Sequence, residues 1–309
     1  MRQRSVFVIG GGGMVGATAA QALAIKEVVH DIVLVDVAED LVRGQAMDIN
    51  HATAFTSGVT VRVGGYDEIK EDDIVVIASG AAQKPGQTRL ELADINTAII
   101  RDVVGRIMAQ GKLVYILMVA NPVDVLTYVA LKESGLPKER VLGSGTTLDT
   151  ARLRVAIASK AGVSQSNVHA YILGEHGDSS FPALSNATIA GIPLAAFPGV
   201  DPALKGTIAG DIRQAAYKII EAKKSTYYGI GNVVAKLVEA LLRDTASVYP
   251  VCSLATGEYG VDGVVLGLPS KVSSRGVEIV DGYPLSASEK QSLLNSAAIV
   301  RAAIGRIKQ

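Results

Sequence analysis

Four consecutive glycines, Gly10 to Gly13, directly follow the apolar run VFVI near the start of the chain. With Gly16 they satisfy two spacings at once, Gly-x-Gly-x-x-Gly from Gly11 and Gly-x-x-Gly-x-x-Gly from Gly10. A helical pattern begins at Met14, so the glycines join a strand to the start of a helix, whose unpaired N–H groups and dipole attract an anion. This order of elements predicts a phosphate-binding turn in a parallel α/β sheet.

Asp36 ends the next predicted strand, twenty residues after Gly16. A carboxylate at that point accepts hydrogen bonds from the ribose hydroxyls of an adenosine and repels a 2′-phosphate. The alternative is an aspartate that only caps a turn, but the strand–loop–helix context favours the nucleotide. The sequence therefore predicts a bound dinucleotide, NAD in preference to NADP.

The first half of the chain alternates short β-branched runs with helical patterns. The runs are apolar nearly throughout, which is typical of parallel strands covered on both faces. Candidate strands lie at 5–9, 31–35, 59–63, 73–78, 113–119 and 140–143, and candidate helices at 14–25, 92–110 and 123–133. Right-handed crossovers between such strands build an α/β fold with a doubly wound parallel sheet, the Rossmann arrangement.

The pattern changes after about residue 145. A predicted helix at 149–161 is followed by shorter strands, a long helical region at 202–242 and strands around 248–254 and 263–269. The last predicted helix, 288–307, opens with the cap-like sequence SASE. Because neither a low-complexity linker nor an internal repeat occurs, we expect a nucleotide-binding domain at 1–144 packed closely on a second, α+β substrate domain at 145–309, with a cleft between them.

The composition excludes several classes of protein. With 30 basic and 30 acidic side chains in 309 residues, the formal net charge is zero and does not indicate a nucleic-acid or membrane-surface partner. The single cysteine, Cys252, excludes an intrachain disulfide, and no Cys/His spacing of the zinc type occurs. No signal-peptide pattern occurs, and no apolar run approaches the roughly 20 residues of a membrane helix. We therefore expect a cytoplasmic protein without a metal site.

A histidine, His176, lies between two glycines in the segment GEHGD, where neither a strand nor a helix is favoured. Histidine titrates near neutral pH, and glycine neighbours let another molecule approach, so the segment predicts a proton-transfer site. The stretches AQKPGQTR (82–89), ANPVD (120–124) and LDTARLR (148–154) precede it. Together with the glycine loop, these motifs resemble, over nearly the whole chain, the L-lactate/malate dehydrogenase family, and its bacterial lactate branch most closely.

The resemblance implies hydride transfer between a nicotinamide and a 2-oxo or 2-hydroxy acid. His176 is then the general acid/base, which protonates the carbonyl oxygen in the reductive direction. Asp149 is its partner, which fixes the tautomer and raises the imidazole pKa. The simpler alternatives are a loop histidine with ordinary hydrogen bonds and an aspartate that N-caps a helix beginning at Thr150.

The resemblance also implies that two arginines contact the substrate. Arg152, three residues after Asp149 and on the same helical face, is the bidentate anchor of the substrate carboxylate. Arg89, in a mobile lid that spans 82–92, polarises the substrate carbonyl when the lid closes. The alternatives are a surface salt bridge for Arg152 and a solvated loop position for Arg89.

Three polar residues complete the implied substrate pocket. Asn121, at the end of a predicted strand, hydrogen-bonds the reacting oxygen, and Thr226 forms a pocket wall unless it is an ordinary helix threonine. Gln83 occupies the position that contacts the C3 group of the substrate, where malate-specific relatives carry an arginine. A neutral amide leaves a second carboxylate unpaired, which favours pyruvate and L-lactate over oxaloacetate and malate. Malate and larger 2-hydroxy acids stay open, because the sequence does not give the pocket volume.

The cofactor contacts that the resemblance implies lie mostly where predicted strands end. They are Gly11, Gly13, Met14, Val15, Gly16, Asp36, Tyr66, Gly80, Ala81, Val119, Asn121 and Ser144. A non-catalytic NAD-binding sensor would need these residues but neither the proton-transfer pair nor the substrate arginines, so the combination favours an enzyme.

Arg154 and His169 match positions that, in bacterial lactate dehydrogenases, bind fructose 1,6-bisphosphate between subunits. Arg154 lies roughly 200° around the helix from Arg152 and points elsewhere. Cationic groups that face their symmetry mates attract phosphates, so the resemblance implies allosteric activation of a fermentative homotetramer. The alternatives are a histidine that begins a strand, an arginine paired with an acid, and a dimer.

Overall fold

The computed structural model describes residues 4–56, 58–81, 89–200, 208, 210, 212 and 218–307, and of residues 89–91 the backbone only. The strands are β1 Val6–Ile9, β2 Asp31–Val35, β3 Thr60–Val63, β4 Ile74–Ile77, β5 Tyr115–Met118, β6 Val141–Gly143, β7 Val168–Leu173, β8 Phe181–Ile189, β9 Ile192–Pro193, β10 Ser247–Thr256, β11 Asp262–Ser273 and β12 Gly276–Ile279. The helices are α1 Met14–Ile25, α2 Glu39–Ala52, α3 Arg89–Met108, α4 Val123–Ser134, α5 Thr147–Ala161, α6 Tyr228–Arg243 and α7 Ala287–Ile304.

One large sheet contains most of the strands, in the order β12-β11-β10-β6-β5-β4-β1-β2-β3. The pairs among β1 to β6 are all parallel. Strands β10, β11 and β12 extend this sheet in antiparallel fashion beyond β6. A second sheet, β7-β8-β9, carries the segment that leads into His176. The predicted α/β fold class with a Rossmann-type parallel sheet is confirmed.

Both faces of the inner parallel strands, that is all of β1 to β6 except the edge strand β3, are buried, which explains why their sequences do not alternate. Val6, Val8 and Ile32 pack with α1 and α6 on one face. Phe7 and Val33 pack with α3 and α4 on the other face. A strand that is apolar on both sides must be covered by helices on both sides, as in any doubly wound sheet.

The carboxyl ends of the parallel strands meet at one edge of the sheet. The glycine loop follows β1, and the chain leaves β4, β5 and β6 at the same edge. Helix α5, which carries the LDTARLR motif, begins directly after β6. The topology therefore brings the predicted nucleotide site and the predicted substrate residues together, at the position where open α/β sheets bind ligands.

Two details differ from the sequence predictions. Helix α2 was not predicted, because only Val42, Ala46 and Ile49 are buried on it and its polar face dominates the pattern. In the described part of the region 202–242, residues 218–223 are helical, Lys224 has a φ of 72°, and α6 starts afresh at Tyr228. A residue in that conformation ends a helix, so one continuous helix does not form there.

Candidate active site

The glycine loop after β1 is packed too tightly for larger residues. Gly10 has a φ of 85°, and a Cβ on it would lie 2.6 Å from the backbone nitrogen of Ser79. A Cβ on Gly16 would lie 2.2 Å from the carbonyl oxygen of Gly10, so this glycine lets α1 start close beneath the loop. Within the described part of the chain, no side chain caps the start of α1, whose first N–H groups point into the loop.

Asp36 follows β2 and lies beside the glycine loop. Its Oδ2 accepts the N–H of Gly12 at 2.9 Å, and its Oδ1 accepts the N–H of Ala38 at 3.0 Å. A carboxylate has further lone pairs for hydroxyl donors. An uncapped helix N-terminus, a cradle that Cβ atoms would fill and a carboxylate at the end of β2 together fit the pyrophosphate and ribose of NAD.

The other predicted cofactor residues line the same edge of the sheet. They are Met14 and Val15 in the first turn of α1, Tyr66 after β3, Gly80 and Ala81 after β4, Val119 and Asn121 after β5, and Ser144 after β6. Burial raises the pKa of Tyr66, and the nearby negative charge of Asp36 adds to that rise. The predicted contacts therefore lie along the edge of the sheet where the parallel strands end.

His176 and Asp149 form the predicted pair. Nδ1 of the imidazole lies 2.6 Å from Oδ2 of Asp149, and 28% of the His176 side chain is exposed. Because Nδ1 is engaged, Nε2 is the ring nitrogen that can exchange a proton with a substrate. Helix α5 begins at Thr147 after Thr146, so Asp149 lies inside its first turn and the alternative of an N-cap at this residue is wrong.

The electrostatics of the pair favour a protonated imidazole. Burial lowers the pKa of His176, but the negative charge of Asp149 and the hydrogen bond to it outweigh burial, and the pKa lies above its usual value. Burial raises the pKa of Asp149, but the charges and hydrogen bonds of His176 and Arg152 outweigh it, and that pKa lies below its usual value. A charged imidazole beside an ionised carboxylate can protonate a carbonyl oxygen near neutral pH.

Arg152 lies on the same face of α5 as Asp149, as their spacing predicts. Its Nη1 donates to Oδ1 of Asp149 at 2.8 Å, and 17% of its side chain is exposed. The ion pair is therefore part of the site and not a surface salt bridge. A guanidinium has several further N–H groups, which can hold a substrate carboxylate while Nη1 stays with Asp149.

Residues 174–180, the His176 loop, are held from several elements. Oδ2 of Asp124, in the first turn of α4, accepts the N–H of His176 at 2.9 Å, and its Oδ1 accepts the thiol of Cys252 at 2.8 Å. Burial raises the pKa of Asp124 to about 6, although both of these hydrogen bonds lower it. The ANPVD motif contains Asp124, but sequence reasoning used only its asparagine.

A second residue that sequence reasoning missed is Asn96 in α3, which is 2% exposed. Its Oδ1 accepts the N–H of Ala81 at 2.7 Å, and its Nδ2 donates to the carbonyl oxygen of Asn121 at 2.8 Å. Asn96 therefore ties the chain after β4 to the chain after β5. A buried polar residue inside an otherwise apolar helix face was the available signal.

One cavity of about 470 Å³ joins the glycine-loop edge to the His176–Asp149 pair. The predicted residues that line it are Val15, Val119, Asn121, Ser144, Asp149, Arg152, His176 and Thr226. Glu175, Asp178 and the apolar side chains of Leu148, Ile172 and Ile230 also contribute to the wall. The cavity thus places a proton donor, a cation and the end of the nucleotide cradle around a space suited to a small anion.

Two predicted substrate residues fall outside this description. Gln83 lies outside the described residues, and Arg89 is the first residue of α3 but its side chain is not described. Their roles stay predictions. Thr226 reaches the cavity from the segment between the helical residues 218–223 and α6 and not from inside one helix.

The predicted anion site lies away from the cavity. Nε of Arg154 donates to the carbonyl oxygen of Ala170 at 3.1 Å, and its guanidinium lies 5.3 Å above the ring of Tyr171. His169 precedes Ala170 on β7 and is exposed. Arg154 of α5 therefore bonds to the residue that follows His169 on β7. His169 is the second residue of β7 and not its first.

Three further findings concern the described residues. They contain no group of three or more His, Cys, Asp or Glu side chains arranged to hold a metal ion. None of their helices is both long and apolar enough to cross a membrane. Cys252 is a reduced, buried thiol, and burial together with the charge of Asp124 raises its pKa far above the usual value.

Comparison with known proteins gives matches over the whole chain. The family model for the NAD binding domain of lactate/malate dehydrogenases matches residues 4–143, and the model for their alpha/beta C-terminal domain matches residues 146–309. L-lactate dehydrogenase of Thermoanaerobacter pseudethanolicus is 42% identical over 95% of this chain and 96% of its own length. L-lactate dehydrogenase of Halalkalibacterium halodurans is 43% identical over 96% of this chain and 95% of its own length.

Solved structures give the same result. The minor L-lactate dehydrogenase from Enterococcus mundtii, in its ligands-bound form, superposes with a TM-score of 0.95 at 39% identity, covering 99% of each chain. A lactate dehydrogenase from a Medee basin deep-sea metagenome library superposes with a TM-score of 0.95 at 40% identity and the same coverage.

Proposed function

This chain belongs to the lactate/malate dehydrogenase family, and we propose that it interconverts pyruvate and L-lactate with NAD. Its relatives named above are L-lactate dehydrogenases. The observation that carries the proposal is the His176–Asp149 pair, which lies in one cavity with Arg152 and the end of the nucleotide cradle. A proton donor and a carboxylate anchor on either side of a small cavity suit a 2-oxo acid.

The protein's residues divide the work as follows. NAD supplies the hydride chemistry when it is bound against the glycine loop and Asp36. Arg152 holds the substrate carboxylate, and His176 gives a proton to the carbonyl oxygen during reduction and takes it back during oxidation. Asp149 keeps the imidazole oriented and stabilises its charged form. Arg89 polarises the carbonyl, and Asn121 and Thr226 complete the pocket.

Gln83 supports pyruvate as the substrate in preference to oxaloacetate. Oxaloacetate carries a second carboxylate, which an amide does not neutralise, and an unpaired carboxylate in a closed pocket costs several kcal/mol. We expect kcat/KM for pyruvate to exceed that for oxaloacetate at least about tenfold, or about 1.4 kcal/mol. A panel of 2-oxo acids, followed by the absorbance of NADH, tests this. Equal or reversed values would favour malate, and a preference for bulky acids would favour larger 2-hydroxy acids.

The proton-transfer role is tested by His176→Asn. Because only the imidazole can exchange the proton, this variant should lose about 10²- to 10⁴-fold in kcat while NADH still binds. Near-normal turnover in the variant would make the role wrong. Wild-type protein that binds NADH but turns over no 2-oxo acid would instead favour a non-catalytic NAD sensor.

We also propose that the protein is a cytoplasmic homotetramer. In each subunit, the nucleotide-binding domain ends at residue 144 and the substrate domain begins at residue 145. Arg154 and His169 bind fructose 1,6-bisphosphate between subunits. What supports the site is that Arg154 bonds to the carbonyl oxygen of Ala170, directly after the exposed His169, and that both residues lie outside the cavity lining. Pyruvate saturation curves with and without the bisphosphate test it in wild type and in Arg154→Ala. If the bisphosphate left the saturation curve unchanged in wild type and in Arg154→Ala, activation through this pair would be excluded. Analytical ultracentrifugation would give the number of subunits.

A further inference from the structure

A closed ring of hydrogen bonds joins the His176 loop to the C-terminal helix α7. Ser296 on α7 is fully buried. Its Oγ accepts the N–H of Glu175 at 2.7 Å and lies 3.0 Å from Oγ of Ser179. The hydroxyl of Ser179 donates to Oε2 of Glu175. This Ser296 ring, made of Glu175, Ser179 and Ser296, therefore begins at the backbone of Glu175 and ends at its side chain.

The protons fix the direction of every bond in the Ser296 ring. Ser179 has one hydroxyl proton and donates it to the carboxylate of Glu175, so the proton between the two serines comes from Ser296. Ser296 thus accepts one bond and donates one, which satisfies a hydroxyl that no water reaches. Because successive bonds polarise one another and the last acceptor is a carboxylate, the ring is stronger than isolated neutral bonds.

The Ser296 ring also explains why glycines flank His176. Gly174 has a φ of 92°, and a Cβ on it would lie 2.7 Å from Oγ of Ser296. A Cβ on Gly177 would lie 2.8 Å from the carboxyl carbon of Glu175, whose side chain folds back over the loop. Each glycine therefore makes room for one member of the ring. The pair indicates a packed contact and not a turn that is merely flexible.

Other elements hold the same loop from other directions. Asp124 of α4 accepts the N–H of His176, and Asp149 of α5 accepts its ring N–H. Gly174 exchanges two backbone hydrogen bonds with Gly267 of β11, at 3.0 and 2.9 Å. The backbone N–H groups of Gly174 and His176 are therefore held by β11 and α4. The N–H group of Glu175, which lies between them, is held by Ser296.

We infer that Ser296 is a positioning residue for proton transfer by His176. Its hydroxyl acts through Glu175 and Ser179, which bracket the histidine, and it is not among the residues that line the cavity. Without it, the Glu175 amide loses its acceptor and the His176 loop can shift relative to Asp149. The inference rests on the proposed function, because proton transfer to the substrate is what the ring aligns.

The test is Ser296→Ala. Because the imidazole is misplaced mainly with respect to the transition state, kcat and kcat/KM for pyruvate should fall together, by about ten- to a hundredfold. The dissociation constant of NADH should not change, since the cradle lies on other elements. Hydrogen–deuterium exchange should become faster in the peptide that contains Glu175 and His176. A variant with wild-type kcat would overturn the inference.

Two serine variants serve as matched controls. Ser292, one turn earlier on α7, donates to the carbonyl oxygen of Ser288 at 3.0 Å within its own helix, and Ser292→Ala should behave like wild type. Ser270 in β11 is as buried as Ser296 and donates to the carbonyl oxygen of Leu268 at 2.8 Å. Ser270→Ala should lower Tm but keep kcat. If all the kcat lost in Ser296→Ala were also lost in Ser270→Ala, the effect would be one of general stability and the inference would be wrong.

A double variant tests whether the ring is closed. Removal of either serine opens the ring, so Ser179→Ala with Ser296→Ala should lose little more kcat than the worse single variant. If the fold-loss of kcat in the double variant equalled the product of the two single fold-losses, the serines would make independent contacts, which would contradict the ring. If wild type does not oxidise NADH with pyruvate, the proposed function fails. The exchange rates of Glu175 and His176 still decide whether Ser296 fixes the loop.

Discussion

The NAD cradle and the His176 loop lie at two ends of one cavity but are built in opposite ways. The cradle comes from one short stretch, β1, the glycine loop and the start of α1, with Asp36 as its main side-chain addition. The His176 loop is fixed by residues of α4, α5, α7 and β11, which lie far apart in the sequence. Backbone makes the first site, and converging side chains make the second.

This difference predicts how each region responds to substitution. A backbone site is sensitive to added atoms, because a Cβ at Gly10 or Gly16 meets other backbone atoms at once. A site of converging side chains is sensitive to lost atoms, because each lost bond leaves a partially buried partner unsatisfied. Isosteric changes of single carboxylates should therefore affect catalysis strongly in the loop and only modestly in the cradle.

The largest effect is expected from Asp149→Asn. The amide keeps the size of the side chain but removes the negative charge that raises the pKa of His176 against burial. The pKa of His176 should therefore fall. Pyruvate reduction needs the protonated imidazole, so as the pH is raised, kcat should begin to decline at a lower pH in the variant than in wild type. We expect kcat to fall about 10²- to 10³-fold, measured together with its pH profile.

Asp73→Asn is a suitable control for Asp149→Asn. Asp73 is fully buried and accepts the N–H groups of Ser5 and Lys70, at 3.0 and 2.8 Å. Its loss should lower stability while the pH profile of kcat stays that of wild type. A profile that moved equally in both variants would show that the shift does not come from the Asp149 charge.

A smaller effect, on stability, is expected from Asp124→Asn. Burial raises the pKa of Asp124 to about 6 from its usual value of 3.8. Between these values the folded protein holds a proton that the unfolded chain has released, so this contribution favours folding below about pH 4 and is lost as the pH rises through about 6. Two pKa units correspond to about 3 kcal/mol. Between about pH 4 and pH 6, the free energy of unfolding of wild type, measured with urea, should fall by about 3 kcal/mol relative to that of the variant.

Cys252→Ser is the matched control for Asp124→Asn, since a hydroxyl still donates to Oδ1 of Asp124 in place of the thiol. This variant should keep the wild-type dependence of stability on pH. If Asp124→Asn and wild type changed in parallel between about pH 4 and pH 6, Asp124 would not be the group that titrates there.

The two regions also differ in how far the sequence predicts them. The glycine loop and Asp36 were predicted from their spacing and from the strand–loop–helix context, because local sequence order sets their geometry. The parallel strands were found from their continuous apolar runs, within a few residues at each end. The family and its NAD cofactor, predicted from motifs, are confirmed by matches over the whole chain.

The contacts around His176 could not be predicted in this way. Ser296 and Asn96 are single polar residues in helices. The apolar neighbours of Asn96 indicate a buried position, but the local sequence shows for neither residue which groups it bonds. Only the packing of α7 on the loop and of α3 on the sheet edge shows what they bond. Thr226 lines the cavity, but it was assigned to a continuous helix. The positive φ of Lys224, which interrupts that helix, falls on a residue with good helix propensity.

The smallest effect is expected in the cradle, from Asp36→Asn. An amide oxygen can still accept the N–H of Gly12, so the loop should keep its shape. The amide binds ribose hydroxyls less strongly than a carboxylate and no longer repels a 2′-phosphate. NADH affinity should therefore fall about tenfold and the preference over NADPH should narrow, as fluorescence titrations with both cofactors would show. The pH profile of kcat, measured at saturating NADH, should stay that of wild type, because His176 takes its charge balance from α4 and α5. A shifted profile would mean that the two regions are electrostatically coupled, and the separation between backbone site and side-chain site would not hold.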